Sequence, residues 1–307
     1  QTVRPTVGVA TDIVVEYNNF ARGGKKPQIT CTDQQGIFTQ LGSIAPFAIA
    51  NERVKELTPR IASSFEKALV NILFLDPVPN KMRDYSFISD KVLNGDGRNI
   101  SSVLFHLVNN PNIDKSELLE FIKSLPEQNI SDIVFLRGPR NEAMVQLVEN
   151  FGSLERKMDA SLLSDGTLRV LAIAAALLSA PEGSLVIVEE IDNGVHPSRA
   201  NQLLDSIYRV ANKRKLKILI SSHNPALLDA LPREAIPSVV FCYRDKTDGD
   251  SKLISLEDVP NYPELISQGS LGNLLTQGLL DRYIKDSEDS SVKKEKALNW
   301  LMNLQNL

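Results

Sequence analysis

Two short runs of apolar residues constrain the fold more than any other feature of the chain. Residues 185–188 read LVIV and residues 216–220 read LKILI. A helical pattern precedes the first run, another lies between the two, and a third follows the second. Nearly continuous apolar strands that alternate with helices are typical of a parallel sheet covered on both faces. We therefore predict an α/β fold around a mostly parallel sheet.

The composition is that of an ordinary globular chain, with 307 residues, 42% hydrophobic and 23% charged. The net charge of -4 gives no overall basic surface, so a nucleic-acid role would need a local basic patch. The only cysteines, Cys31 and Cys242, fit a reducing compartment without disulfides. No apolar run approaches the roughly 18–20 residues of a membrane helix. We expect a cytoplasmic protein without a membrane partner.

Changes in periodicity divide the chain into four predicted parts. These are an N-terminal β part (1–45), a helical insertion (46–130), a core of alternating strands and helices (131–245) and a helical tail (246–307). Within the insertion, residues 57–74 predict a helix with Thr58 as its N-cap and Pro59 at its first position.

The first apolar run ends in two adjacent glutamates, Glu189 and Glu190. Ligands of parallel sheets lie beyond the carboxyl ends of the strands. Since side chains alternate along a strand, two successive carboxylates point in different directions. One can hold Mg²⁺ while its neighbour orients a water for attack, and this division of roles suits nucleotide hydrolysis.

Two further segments carry groups suited to a phosphate. LSDGT (163–167) lies at a predicted helix start, where a hydroxyl, a glycine and exposed backbone N–H groups could bind an anion. His223 follows the second apolar run and could reach a phosphate from the end of that strand. Each feature also has a plainer interpretation: a solvated loop for the glutamates, an ordinary N-cap for LSDGT, and a structural role for His223.

In this order and spacing, LSDGT, VIVEEIDNGVHP and ISSHNPALLDAL resemble the signature, Walker B with D-loop, and switch-histidine motifs of ABC-type ATPases. The nearest likeness is to the OLD/AAA_21-like group of predicted ATPases, whose members often occur in bacterial anti-phage and toxin–antitoxin loci. NGDGRNISSVLFHL and SLGNLLTQGLL resemble the same group. The resemblance implies an ABC-type P-loop ATPase core, with a mostly parallel sheet flanked by helices, N-terminal antiparallel strands and a helical insertion.

The resemblance also implies ATP and Mg²⁺ as cofactors and gives the motif residues their roles. Glu189 takes the metal position, Glu190 the position that polarises the attacking water, and His223 the position that senses the γ-phosphate. The residues implied to contact ATP, across the interface with a second copy, are Ser164, Asp165, Gly166, Thr167, Asn193 and His196. For His196, a capping or packing role is an equal alternative.

The chain contains no GxxxxGK[ST] phosphate-binding loop. RGGKKP (22–27) is the nearest candidate, and we interpret it as a solvated turn. Because the sequence begins at Gln1 rather than methionine, we expect the loop to lie upstream. A natural loss of the loop would instead leave a non-hydrolysing scaffold subunit.

The resemblance implies a homodimer or higher homo-oligomer formed through an ATP sandwich, which controls a separate effector, a nuclease or toxin-like protein, in anti-phage defence. A DNA-repair or SMC-like ATPase that binds nucleic acid directly is the alternative. Other charged segments have plainer interpretations. DGD (248–250) predicts a hairpin turn rather than a metal site, Arg137 and Arg140 a solvated loop, and His106 a structural histidine.

Overall fold

A computed structural model describes residues 12–20, 25–113, 115–123, 129–152, 154–193, 197–245, 248–259 and 262–285. The chain divides into two compact units. The first comprises Gln1–Leu73 with Ala180–Leu185, and the second Phe74–Ser179 with Val186–Leu307.

The first unit begins with a hairpin in which β1 (Asp12–Glu16) pairs antiparallel with β2 (Gln28–Thr32). Helices α1 (Ile37–Leu41) and α2 (Glu52–Val70) follow. The core of this unit is small and is formed by Cys31, Leu41, Phe47, Val54 and Ala62. The hairpin confirms the predicted N-terminal antiparallel strands.

Helix α2 begins earlier than the sequence analysis predicts. Asn51 is its N-cap, since its side chain accepts a hydrogen bond from the backbone N–H of Val54 at 3.0 Å. Thr58 and Pro59, predicted at the helix start, lie inside the helix. The prediction was wrong because proline is common at a first helical position, whereas the competing signal was Asn51 followed by Glu52 in the first turn.

From β3 onwards the elements in chain order are β3 (Leu73–Leu75), α3 (Pro79–Met82), β4 (Ser86–Phe87), α4 (Ile100–Val108), α5 (Lys115–Lys123), β5 (Ile130–Gly138), β6 (Glu142–Phe151), β7 (Leu154–Asp159), α6 (Asp165–Ser179), β8 (Leu185–Val188), α7 (Ala200–Lys213), β9 (Lys217–Ile220), α8 (Pro225–Asp229), β10 (Val240–Arg244), β11 (Ser251–Ser255), α9 (Tyr262–Ser267), α10 (Leu271–Thr276) and α11 (Leu279–Lys285).

The second unit contains a three-stranded sheet of order β3-β8-β9. Just beyond β9, the backbone N–H of Ser221 donates to the carbonyl of Val188, and the Ser221 carbonyl accepts from the N–H of Ile191. One residue thus hydrogen-bonds with two residues of the neighbouring strand. This pattern is typical of parallel strands. Helix α6, buried along most of its length, contacts α4, α5 and α7. The predicted fold class, α/β with a parallel sheet and flanking helices, is confirmed.

An antiparallel sheet of order β4-β6-β5 accompanies it, with β7 also pairing with β6. Strands β3 and β4 lie in the region 46–130 that the sequence analysis expects to be helices and loops. They span three and two residues, too short for a period-2 pattern to reveal them. The predicted boundaries of the four parts of the chain stay predictions.

The C-terminal region is a hairpin of β10 and β11 with α9, α10 and α11 packed beside it. The predicted turn at DGD is present, since Asp245 N–H donates to the Asp250 carbonyl at 2.9 Å and Gly249 has φ +76°. Hydrogen bonds to Asp245 and Asp248 raise the pKa of Lys252. No helix of the described residues is long and apolar enough to cross a membrane.

Candidate functional site

The paired glutamates lie at the carboxyl edge of the parallel sheet, directly after β8. The backbone N–H of Glu189 donates to the carbonyl of Leu75 at 3.0 Å, beside β8 on one side. The N–H of Glu190 donates to the hydroxyl of Ser221 at 3.0 Å, on the other side. Both glutamates are exposed. The neighbouring strands therefore hold the backbone of both acids while their carboxylates remain accessible to a ligand.

Glu190 has an unusual backbone conformation with φ +46°. A left-handed conformation is unfavourable for a residue with a side chain and costs about 1–3 kcal/mol. Asn193 closes the turn, because its backbone N–H donates to the Glu190 carbonyl at 3.0 Å and its Nδ2 donates to Glu190 Oε2 at 2.5 Å. Strain of this kind is concentrated at functional sites, and here it lies at the predicted catalytic carboxylate.

His223 lies at the same edge, just after β9, with a side chain that is 76% exposed. Its Nε2 is 3.6 Å from Oδ2 of Asp192, whose side chain is only 6% exposed. The structure thus places Glu189 and Glu190 after β8 and His223 after the adjacent strand β9, at the same edge of the sheet. That the three act at one site stays a prediction. Asp192 was missed, although it stands inside the quoted motif, because a single acid in a polar turn is usually solvated.

The LSDGT segment forms the start of α6. Ser164 Oγ accepts from the backbone N–H of Thr167 at 3.1 Å and lies 2.8 Å from Thr167 Oγ1. Ser164 therefore acts as the N-cap in this structure. Thr167 is 1% exposed, whereas Ser164 and Asp165 are exposed and Gly166 is half-buried. A contact between the Thr167 hydroxyl and a phosphate would require this segment to open.

Arg83, just after α3, joins this segment in the structure and was not predicted. Its guanidinium donates to the carbonyls of Ser161 and Leu163 at 3.0 and 2.6 Å and to Asp165 Oδ1 at 2.5 Å. The positive charge offsets the carboxylate at the helix start. No local pattern could have revealed the contact, because Arg83 and Asp165 are 82 positions apart.

Substituting Arg83 tests its role in stability. We expect Arg83→Gln to lower the free energy of unfolding by about 1–2 kcal/mol, because charged hydrogen bonds to two carbonyls are lost beside a partly exposed ion pair. Arg83→Lys should recover little of this stability, since an ammonium group lacks the planar set of N–H donors with which the guanidinium binds both carbonyls. Urea unfolding measures both. Lys81→Gln is the matched control, because the Lys81 side chain is more exposed than that of Arg83. If Arg83→Lys were as stable as the wild-type protein, the proposed role of the guanidinium geometry would be wrong.

The remaining residues singled out from the sequence lie away from this edge of the sheet or outside the described residues. His196 lies outside the described residues, as does part of RGGKKP. The structural interpretation of His106 agrees with a 2.5 Å hydrogen bond between its Nε2 and the Ile88 carbonyl. The guanidinium of Arg137 lies 4.1 Å from the Phe105 ring centroid rather than in a fully solvated loop, while Arg140 is exposed.

The implied Mg²⁺ can be tested against the donors at the sheet edge. Within the described part of the chain, no three metal-ligating side chains form a cluster. Mg²⁺ commonly uses only one or two carboxylates, with water and phosphate oxygens completing its coordination. The exposed carboxylate of Glu189 fits such a shared site. The residues present therefore fit Mg²⁺ that arrives with a nucleotide, and not a metal site built by protein alone.

Comparison with known protein families identifies the family to which the chain belongs. Residues 29–229 match the family described as "AAA domain, putative AbiEii toxin, Type IV TA system". The chain belongs to this AAA_21 family. The matched region of the AAA_21 chain includes the α6 start, both glutamates and His223 and ends at the last residue of α8. The predicted membership of the AAA_21 group is confirmed.

Several solved structures are similar to the AAA_21 chain. An Smc head domain from Pyrococcus yayanosii is 14% identical with a TM-score of 0.33, covering 50% of this chain and 28% of that one. An Smc head bound to the C-winged helix domain of ScpA is 13% identical with a TM-score of 0.41, covering 76% and 66%. An ATP-binding cassette of an ABC transporter is 18% identical with a TM-score of 0.29, covering 54% and 56%. At such low sequence identities and TM-scores, the similarity to these structures assigns no role to any residue. No curated protein matches the chain.

Proposed function

We propose that this AAA_21 chain is a Mg²⁺-dependent ATPase subunit, that two copies enclose ATP, and that their association controls a separate nuclease or toxin-like effector in bacterial defence. The observation that carries the hydrolytic part is the meeting of Glu189, Glu190 and His223 at one sheet edge. Carboxylates for a metal and a water, with a histidine within reach of a phosphate, are the groups that phosphoryl transfer to water requires.

Glu190 is the residue that activates water. Its carboxylate accepts a hydrogen bond from the attacking water and takes the proton as the water oxygen bonds to the γ-phosphorus, while the bond from that phosphorus to the β–γ bridging oxygen breaks and ADP leaves. The Asn193 amide binds one carboxylate oxygen at 2.5 Å, which fixes the carboxylate and leaves the other oxygen for the water. Glu189 would hold Mg²⁺, which, when bound with ATP, offsets charge on the phosphate oxygens. His223 donates to the γ-phosphate.

The start of α6 supplies the second half of the proposed nucleotide site, from the opposite copy. Helix α6 has 15 residues, and its N-terminal end carries partial positive charge. Ser164 presents an exposed hydroxyl there, and the Arg83 guanidinium offsets Asp165. Without this cation, the negative charge of the Asp165 carboxylate would repel a phosphate. The predicted contacts of Ser164 and Gly166 with ATP fit this arrangement, whereas the contact of the buried Thr167 would require the segment to open.

Control of an effector is supported by the family description, which names a putative toxin and a toxin–antitoxin system. An ATPase that joins and separates two copies can expose or cover a binding surface for another protein. The test is co-expression with the product of the neighbouring gene. Co-purification that differs between ATP and ADP supports control, whereas identical recovery with either nucleotide contradicts it.

The ATPase proposal is tested on the complete native protein. We expect phosphate release from ATP that stops when EDTA removes Mg²⁺, together with a doubling of molar mass in light scattering when a non-hydrolysable ATP analogue is added. AMP is the control ligand, since it lacks the phosphates that the second copy would contact. Absence of phosphate release with an unchanged molar mass would refute both the enzyme and its dimer.

A further inference from the structure

Asp192 is an acid of the sheet edge that the proposed mechanism does not use. Its side chain is 6% exposed, and Oδ1 has no hydrogen-bond partner among the described residues. Its other oxygen, Oδ2, lies 3.6 Å from Nε2 of His223. A buried carboxylate is therefore aimed at an exposed histidine.

Such a carboxylate is costly unless a cation or hydrogen-bond donors compensate it. In the described part of the chain, the basic side chain within 4 Å of the Asp192 carboxylate is that of His223. A separation of 3.6 Å is beyond a hydrogen bond. The imidazole is 76% exposed, so it is free to rotate about its side-chain torsions and shorten the distance. The buried carboxylate lacks this freedom.

We propose that Asp192 is a positioning residue that orients His223 toward the γ-phosphate. Nε2–H of His223 donates to Asp192 Oδ2, and this contact turns Nδ1 away from the protein and toward the nucleotide. An imidazole in its protonated form has two N–H donors, so it can bind the carboxylate and a phosphate oxygen together. The backbone supports this arrangement, since Ile191 N–H donates to the Ser221 carbonyl at 3.2 Å and joins the Asp192 turn to the end of β9.

The role toward phosphate rests on the proposed ATPase function, whereas the contact between the two side chains does not. A double-mutant cycle in urea unfolding therefore tests the contact alone. Replacing an exposed histidine normally changes stability little. We expect His223→Ala to lower the urea midpoint of the wild-type protein clearly, because the Asp192 carboxylate loses its hydrogen-bond donor. In an Asp192→Asn background the same change should have no effect, since a neutral amide does not carry the buried charge that the His223 donor compensates.

His106→Ala is the control for this cycle, because its partner is the Ile88 carbonyl and its effect should be the same in both backgrounds. Asp192→Ser serves as a second background if Asp192→Asn does not fold. Equal midpoint shifts for His223→Ala in the wild-type and Asp192→Asn proteins would overturn the contact and the proposal with it.

The same variants test positioning through turnover of ATP. We expect Asp192→Asn to lower kcat about tenfold with little change in KM, and to cause no further loss in a His223→Ala background, because residues that act as a unit are not additive. If the kcat losses of Asp192→Asn and His223→Ala multiplied in the double variant, the positioning role of Asp192 would be overturned. The proposed function would still stand, provided that the wild-type protein hydrolyses ATP and Glu190→Gln does not. A wild-type protein without hydrolysis would instead overturn the proposed function and the catalytic part of this role.

Discussion

Glu190→Gln is expected to lower the rate of ATP hydrolysis by about 10²–10⁴-fold while the protein still binds ATP. Glutamine has nearly the same size, so the turn held by Asn193 can persist. A neutral amide cannot take the proton from water, and the chemical step fails while the contacts to the nucleotide remain. Single-turnover phosphate release measures the effect. Light scattering should show that ATP now keeps the dimer closed.

Two other glutamates give this experiment its controls. Glu189→Gln should raise the Mg²⁺ concentration needed for activity, because the carboxylate assigned to the metal becomes neutral. Glu155→Gln should leave turnover unchanged, since Glu155 is an exposed acid on β7 beside Lys157. Hydrolysis at the wild-type rate in Glu190→Gln would remove Glu190 from the mechanism, whatever the other two variants do.

The second large effect is expected at Gly272, where α10 meets α8. A Cβ added there would lie 2.1 Å from the Pro225 carbonyl oxygen and 2.7 Å from Asp229 Oδ2. The backbone N–H of Gly272 donates to Asp229 Oδ1 at 2.6 Å, and the Ser270 hydroxyl donates to Oδ2 at 3.0 Å. Glycine is therefore required by the close approach of two backbones, and any side chain forces the helices apart.

We expect Gly272→Ala to lower the free energy of unfolding by about 3 kcal/mol, as for overpacking against rigid backbone. Turnover should fall about tenfold as well, because Pro225 follows His223 by two positions and a shift of α8 displaces the histidine. Urea unfolding and steady-state kinetics at a temperature where the variant is folded separate the two effects.

Gly278→Ala is the matched control for Gly272→Ala. An added Cβ meets nothing within 4 Å there, although φ is +67°. Only backbone strain remains, which costs about 1 kcal/mol, and turnover should stay at the wild-type value. If Gly272→Ala were as stable as the wild-type protein, α8 and α10 could not be in the contact described above.

The sequence predicted those parts of the site that depend on local pattern. Apolar runs located β8 and β9, and parallel pairing then required Glu190 and His223 to meet at one edge. The contacts of Arg83 and Asp192 could not be predicted in this way. Arg83 reaches Asp165 across 82 positions, and the burial of Asp192 depends on packing around the turn. The start of α2 was misplaced because two cap signals compete within one helix.

The positive φ of Glu190 has a consequence for how this protein could be evolved or engineered. Glycine would relieve the unfavourable backbone conformation at that position, yet it would remove the carboxylate assigned to water activation. A laboratory selection for heat resistance alone would therefore favour inactive glycine variants at residue 190. Thermostable variants should be screened for turnover in the same round.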